Sequence, residues 1–363
     1  MLTDRRNPNL PYLIAEVGQN HNGSRHMGEE LIRMAADSRS VQAYTDAPDS
    51  PRLSASAVKF TKRKLTEEMT EAVALAPYEV NSFGATYGEH RRRLELGWDE
   101  FSILAERAYV EGVDFGVTVC HPDLVDKALE YCLALSFIKV ASRDIRNGPL
   151  LDRLVKVPDS VPIVVSLGMA NETDLSDVLR RFRKKLDSLT VLHCRSIYPA
   201  KAHTWDLGVI PALRHRLEPL GVQVGYSDHS IGNAACMAAV AMGAQVIEKH
   251  ITLDRRSLGG DHLGSLDRGG LSRLVRDLER VSLGIGNDSS VRMHPEAEPA
   301  RRKLARSLAW RSTLTPGTVV EEGHVCLLSP GNGLEYTSRG LIVGKTVVEQ
   351  VERHTLCELD QVS

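Results

Sequence analysis

QVGYSDHSIGNAACMAAVAMGAQVIEKHI, residues 223–251, holds the fold in miniature. Two largely apolar, β-branched runs, 223–229 and 244–251, flank a helical stretch from Asn233 to Met242. Runs of this kind suit strands of a parallel sheet covered on both faces, and parallel neighbours need such a crossover. Outward from this unit the alternation repeats. YLIAEVG (12–18), SAVKF (56–60), VDFGVTV (113–119), FIKVAS (137–142), IVVSLG (163–168) and LTVLHCRS (189–196) bring the strand-like runs to eight. Between two of them, Asn171 or Thr173 can cap DLSDVLRRFRKKL (174–186), whose Leu175, Val178, Leu179, Phe182 and Leu186 fall at helical spacing. A last helix is expected over Leu271 to Leu283. Eight strands alternating with helices predict an α/β fold, a (β/α)8 TIM barrel. The alternative, a doubly wound open sheet, usually carries fewer strands and a glycine-rich first turn, and no GxGxxG follows the first run.

The barrel domain is expected over residues 1–284. A polar, Gly/Pro-containing linker follows over 285–300, and then a small β-rich domain over 301–363, where STLTPGTVV, HVCLL, GNGLEYTSRG and LIVGKTVVEQV read as short strand-like pieces. Residues 37–55 read as an irregular insertion on the N-terminal, stability face of the barrel. GLIVGKT (340–346) imitates a phosphate loop, but three residues separate its glycines where four are needed, so it reads as a turn and strand. The runs RRFRKK (180–185) and Arg91–Arg93 read as solvated helix faces.

Composition narrows the function. Among 363 residues, 45 are basic and 47 acidic, a net charge of −2. That balance argues against an electrostatically driven binder of nucleic acid or membrane surfaces. No segment of about twenty consecutive apolar residues occurs, and the N-terminal stretch has no long apolar core. Six cysteines are scattered without a CxxC pair. These features together suggest a reducing, cytoplasmic compartment.

The chemistry gathers where the eight runs end. Glu16, Asn20, His21, Lys59, Thr118, His121, Lys139, Ser142, Asp144, Ser166, His193, Ser196, Tyr198, Ser227, Asp228, His229, Glu248, Lys249 and His250 all fall there. A barrel collects strand C-termini into one mouth, where its active sites lie. His229 and His250 end neighbouring strands. They could bind a divalent metal, with Glu16, Asp228, Glu248 or water supporting it, or be hydrogen-bonded core histidines. Lys59 and Lys139 call for phosphate or carboxylate partners, or for pairing with Glu16 or Asp144.

Taken together, IAEVGQNHNG (14–23), AVKF (57–60), TYGEHRRRLEL (86–96), FIKVAS (137–142), VVSLGM (164–169), HCRSIYP (193–199), GYSDHSIG (225–232) and EKHITLD (248–254) resemble the sialic acid synthase family. TYGEHRRRLEL is closest to its animal-type branch. PGNG (330–333) and its surroundings resemble the family's antifreeze-like (SAF) domain. The resemblance implies condensation of phosphoenolpyruvate (PEP) with an aldose, N-acetylmannosamine, its 6-phosphate or a related sugar, to a nine-carbon 2-keto acid with release of phosphate. It implies a divalent metal on His229 and His250, first Mn²⁺, with Mg²⁺ or Co²⁺ as alternatives. By matching positions, Lys59, Thr118, Lys139, Ser142 and Ser166 would hold PEP, with Ser196 and Ser227 nearby. Glu16, Tyr198 and Asp261 would contact acceptor hydroxyls or water, and Asp144 would orient the attacking water or shuttle a proton. A domain-swapped homodimer is also implied.

Four positions depart from the family pattern. KFQ is KFT (Thr61), GSGE/D is ASRD (Arg143), HCT is HCR (Arg195), and the arginine before PGNG is Ser329. These fall on the acceptor side, so the two added arginines suggest an anionic acceptor, or else pair with Asp144 and Glu16. The other functional readings are a PEP-condensing synthase of secondary metabolism with an unusual aldose, and a non-catalytic sugar-binding paralogue. Retention of His229, His250 and both lysines argues against the last.

Overall fold

The structure is a computed structural model that describes residues 1–4, 10–38, 54–79, 81–286 and 290–363. Its first compact unit, Met1–Gly286, contains eight parallel strands closed into a barrel in sequence order. They are β1 (Tyr12–Gly18), β2 (Ala57–Lys62), β3 (Asp114–Val119), β4 (Leu135–Val140), β5 (Ile163–Ser166), β6 (Leu189–Cys194), β7 (Gln223–Asp228) and β8 (Val246–His250). The closing pair is β1 with β8, in which Glu16 lies opposite His250. Each expected strand is present, so the (β/α)8 barrel is the observed fold. The insertion read over 37–55 falls mainly on residues outside the described ones.

Strand alternation sorts the barrel into layers. Tyr12, Ile14, Ala57, Phe137, Val164, Leu192 and Val246 form an apolar cluster with Leu2, separate from the main core. Gly116 makes room for it, since a Cβ there would lie 2.1 Å from the Phe137 ring. Two residues further along the strands come Glu16, Lys59, Thr118, Lys139, Ser166, Cys194 and Glu248, which face a cavity. Residues of opposite parity, such as Ala15, Val58, Val117, Ile138, Val165, Val191 and Ile247, pack under the helices in the main core. An apolar plug beneath a polar floor is thus written into the period of two.

Helices cover the barrel as the sequence pattern predicts. Asn171 caps Glu172–Arg181, its side chain accepting from the Thr173 and Asp174 amides; the other candidate, Thr173, lies inside the helix. The connection from β2 to β3 is longer than the rest. It carries the short helix Glu71–Leu75 and Tyr87–Leu94 before the covering helix Trp98–Glu111. Tyr87–Leu94 starts at a capping box between Thr86 and Glu89.

The second unit, Asn287–Ser363, has its own small core of Leu308, Trp310, Leu314, Val320, Val325, Ile342, Val347, Val351 and Cys357. Strands β9 (Ser307–Trp310) and β10 (Val325–Leu328) pair antiparallel, while isolated bridges such as Leu314↔Val351 and Val347↔Val362 join the other pieces. The helix Glu298–Leu304 begins inside the stretch read as linker, of which residues 287–289 lie outside the described ones. In the phosphate-loop imitation, Ile342 is a core residue and Gly344 turns the chain with a φ of 85°.

Candidate active site

The C-terminal ends of the barrel strands open on a cavity of about 310 Å³. Its floor is a quartet of buried charges. Glu16 is the register partner of Lys59 across β1 and β2, and the two side chains form an ion pair. Lys139 pairs with Glu248 Oε1, which also accepts from Ser227 Oγ at 2.9 Å. Lys59 links the two halves, lying 3.8 Å from Glu248 Oε2 and donating to Thr118 Oγ1 at 2.7 Å. All four charged side chains are at most 6% exposed.

Two lysines and two carboxylates balance, which is how four charges can be buried in one place. Burial opposes ionisation of Glu248, but Lys139 and Lys59 beside it hold its carboxyl well below the usual range. Burial pulls at Lys59 too, but Glu16 and Glu248 raise its pKa. At Lys139, burial and the neighbouring Lys59 charge outweigh Glu248 and lower the pKa. Lys139 is therefore the looser of the two protons. Of the partners expected for the two lysines, Glu16 is found at Lys59, and Glu248 stands at Lys139 in the place expected for Asp144.

His229 and His250 stand above this floor, their rings 5.7 Å apart, and Tyr198 lies against His229 at 4.2 Å. His229 Nδ1 sits 2.8 Å from the Arg195 carbonyl oxygen, so Nδ1 carries the hydrogen and donates. That leaves the Nε2 lone pair for a ligand. Burial and the neighbouring His250 lower the pKa of His229 to about 4, which keeps the ring neutral. His250 Nδ1 is buried without a hydrogen-bond partner among the described residues. Two imidazoles over a carboxylate pair form a donor set that suits a divalent cation such as Mn²⁺. A separate group, Glu67, His121 and Asp123, also brings three ligand atoms together. Its carboxylates are already paired with Lys64.

Small hydroxyls complete the pocket. Ser166 Oγ is buried and unpartnered among the described residues. Ser142 Oγ accepts from the Gly168 amide at 2.9 Å. Gly168 cannot be larger, because a Cβ there would lie 2.4 Å from Ser196 Oγ. Of the sequence-predicted residues, Glu16, Lys59, Thr118, Lys139, Ser142, Ser166, Ser196, Tyr198, Ser227, His229, His250 and Asp261 all line the cavity. Asp144 does not. It ends the 3-10 turn Ser142–Asp144, with Arg143 Nε at 3.4 Å, and burial raises its pKa.

Other expectations need correcting. Asp228 and Lys249 form a buried pair 2.6 Å apart, bonded also to Ser230 and, on the covering helix, Cys236. By strand parity they face the helices and brace β7 against β8. His193 likewise turns outward onto Tyr226 and the Trp205 carbonyl. Arg195 pairs with Asp206 instead of lining the cavity. Arg92 and Arg93 are exposed as expected, but Arg91 turns inward and lines the cavity, as do the unforeseen Arg63, Tyr78, His90 and Cys120.

Comparison with known proteins agrees with this geometry. A family model described as the NeuB family matches residues 50–290. The human N-acetylneuraminate-9-phosphate synthase is 31% identical over 344 residues, covering 94% of this chain and 89% of the relative. The N,N'-diacetyllegionaminic acid synthase of Legionella pneumophila is 30% identical over 340 residues, with 92% and 89% covered. Among solved structures, an N-acetylneuraminic acid synthetase from Leptospira borgpetersenii, in complex with citrate, aligns with a TM-score of 0.65 and 28% identity. That alignment covers 81% of this chain and 90% of the other.

Proposed function

The chain belongs to the NeuB family of sialic acid-type synthases, and from that premise we propose that it condenses PEP with an aldose to a 2-keto acid. Carbon 3 of PEP bonds to the aldehyde carbon, whose oxygen takes a proton. Water adds to carbon 2, and loss of phosphate leaves the ketone.

The observation that carries the proposal is the buried quartet of Lys59, Lys139, Glu16 and Glu248 beneath the paired histidines. PEP brings a phosphate and a carboxylate, and the floor offers two ammonium groups with the Thr118, Ser142 and Ser166 hydroxyls beside them. The internal glutamates pair with both lysines and fix them before substrate arrives, so little reorganisation is needed on binding. Lys139 and Glu248, which line the cavity as a buried pair, are the groups we assign to passing a proton to or from the reacting atoms. Tyr198 and Asp261 line the cavity, and we assign them to the acceptor hydroxyls.

His229 and His250 would hold the divalent metal, which polarises the aldehyde as a Lewis acid when bound. The Arg195 carbonyl fixes the His229 tautomer for that task. Asp144 is left with a positioning role, because its carboxylate lies off the cavity. The Asn287–Ser363 unit is read as a SAF domain and the active form as a homodimer in the cytoplasm. No helix among the described residues is long and apolar enough to cross a membrane, and all six cysteines are free thiols.

The test is phosphate release from PEP across a panel of aldoses and aldose phosphates, with and without chelator. Release that needs an aldose, stops with chelator and returns with Mn²⁺ supports the proposal. No turnover with any acceptor contradicts it.

A further inference from the structure

One wall of the cavity is cationic in a way that the PEP chemistry leaves unused. Arg63 follows β2 directly, Arg143 sits in the turn after β4, and Arg91 comes from the helix Tyr87–Leu94; all three line the cavity. Arg63 is the most enclosed, with a side chain 10% exposed. Its Nε lies 3.1 Å from Glu68 Oε1, yet neither Nε nor Nη1 makes a hydrogen bond among the described residues. Glu68 Oε1 accepts instead from Arg143 Nη1 at 2.9 Å. Glu68 therefore serves two guanidiniums, and Arg143 alone reaches a second carboxylate, Asp144 Oδ2 at 3.4 Å.

Arg91 has no acidic partner among the described residues. Its contacts are the neutral Tyr87 hydroxyl, at 2.8 Å from Nε, and Gln19 Oε1. Burial lowers the pKa of Arg63, and repulsion from Arg91 and Arg143 lowers it further. Guanidinium stays protonated in proteins regardless, so donors buried without a partner cost free energy that an acceptor would recover. Forked donors of this kind match phosphate oxygens. The floor already answers PEP's two anionic groups, and Arg143 stands where the family pattern has glycine.

We propose that Arg63, Arg91 and Arg143 bind a phosphate monoester carried by the aldose acceptor, so that this chain selects a phosphorylated aldose over its neutral form. The proposal rests on the synthase reading above and names the acceptor class for the same site. Inorganic phosphate offers the same chemistry from another source, the product, so the test separates the two.

The experiment compares kcat/KM for N-acetylmannosamine and its 6-phosphate, and for a panel of similar pairs, in the full-length protein and in Arg63→Met, Arg63→Lys and Arg91→Met. The wild type is expected to prefer a phosphorylated member. Each methionine variant should lower that preference by about tenfold to a hundredfold, the worth of one charge-assisted hydrogen bond. The loss should appear in the acceptor KM, with the KM for PEP nearly unmoved and Arg63→Lys intermediate. No preference in the wild type, or a rise in the PEP KM instead, overturns the proposal. Because Arg91 is only half-buried, Arg91→Met carries the test if Arg63→Met does not fold.

If no acceptor turns over, the synthase reading fails and calorimetric titration decides the wall by itself. N-acetylmannosamine 6-phosphate, N-acetylmannosamine and inorganic phosphate are each titrated into the wild type and Arg91→Met. Sugar phosphate bound more tightly than the other two, and weakened by the substitution, supports the wall. Equal affinity for inorganic phosphate, or no binding, overturns it.

Discussion

The lysine floor and the arginine wall of one cavity carry the same sign of charge and differ in how that charge is matched. On the floor, Glu16 and Glu248 answer Lys59 and Lys139 one for one. On the wall, two carboxylates face three guanidiniums: Glu68 is shared between Arg63 and Arg143, Asp144 reaches Arg143 at 3.4 Å, and Arg91 has only neutral partners among the described residues. The floor is balanced in charge, though Glu16 Oε2 and Glu248 Oε2 are buried without a hydrogen bond among the described residues, so its charges serve folding and binding together. The wall is incomplete, so its guanidiniums are placed for something the protein does not itself supply. Matching can be broken separately in the two regions.

The largest effect is expected on the floor. Lys59→Met or Lys139→Met removes one partner of a buried pair and strands a carboxylate. That should cost about 3–5 kcal/mol of stability in denaturant unfolding and on the order of 10²–10³-fold in phosphate release. The mirror experiment sharpens the contrast. Arg63→Met removes a buried cation that has two donors, Nε and Nη1, without a hydrogen bond among the described residues, and leaves Glu68 to Arg143. Unfolding should then stay within about 1 kcal/mol of the wild type, or rise above it. Equal destabilisation of floor and wall would erase the distinction.

A pH effect of intermediate size comes from His21, buried against Phe60 behind the mouth. Burial, with help from Arg63, lowers its pKa from 6.5 to about 4. A folded-state pKa below the unfolded one means that its contribution is fully present above pH 6.5. It is lost as the pH falls through that window toward 4, because only the unfolded chain takes the proton. Between pH 7 and 5 the loss should be about 2 kcal/mol. His21→Asn should flatten the stability profile by a comparable amount, and an unchanged profile would refute the assignment. The smallest effect is expected at Asp144. A general base would cost about 10²-fold or more on removal, whereas Asp144→Asn should lower phosphate release by less than about tenfold.

The barrel was legible because its strands alternate so regularly with helices, and because a polar residue ends nearly every strand. What the sequence could not separate was inward from outward. Asp228 and Lys249 look as catalytic as Ser227 and Glu248 until the register sets parity, and then they face the helices. Arg63 follows the last residue of β2 and was open to the same strand-end reasoning that found Lys59. Arg91 was not, since it lies in a run of three arginines whose inward member is chosen only by the packing of Tyr87–Leu94. Asp144 failed for a similar reason, because the turn that carries it decides which of Arg143 and Asp144 meets the cavity. In the second unit, single bridges replace continuous strands, so strand-like runs predicted its character better than its pairing. Ser307–Trp310 was not foreseen.

The most direct test of the central claim is mass analysis of the product formed from PEP and an accepted aldose, with phosphate measured in the same reaction. The predicted result is one acid, longer than the aldose by the carbon skeleton of PEP, formed in equal amount to phosphate and lost on chelation or in Lys139→Met. Phosphate released without such an acid, or the acid formed equally well by Lys139→Met, would contradict it.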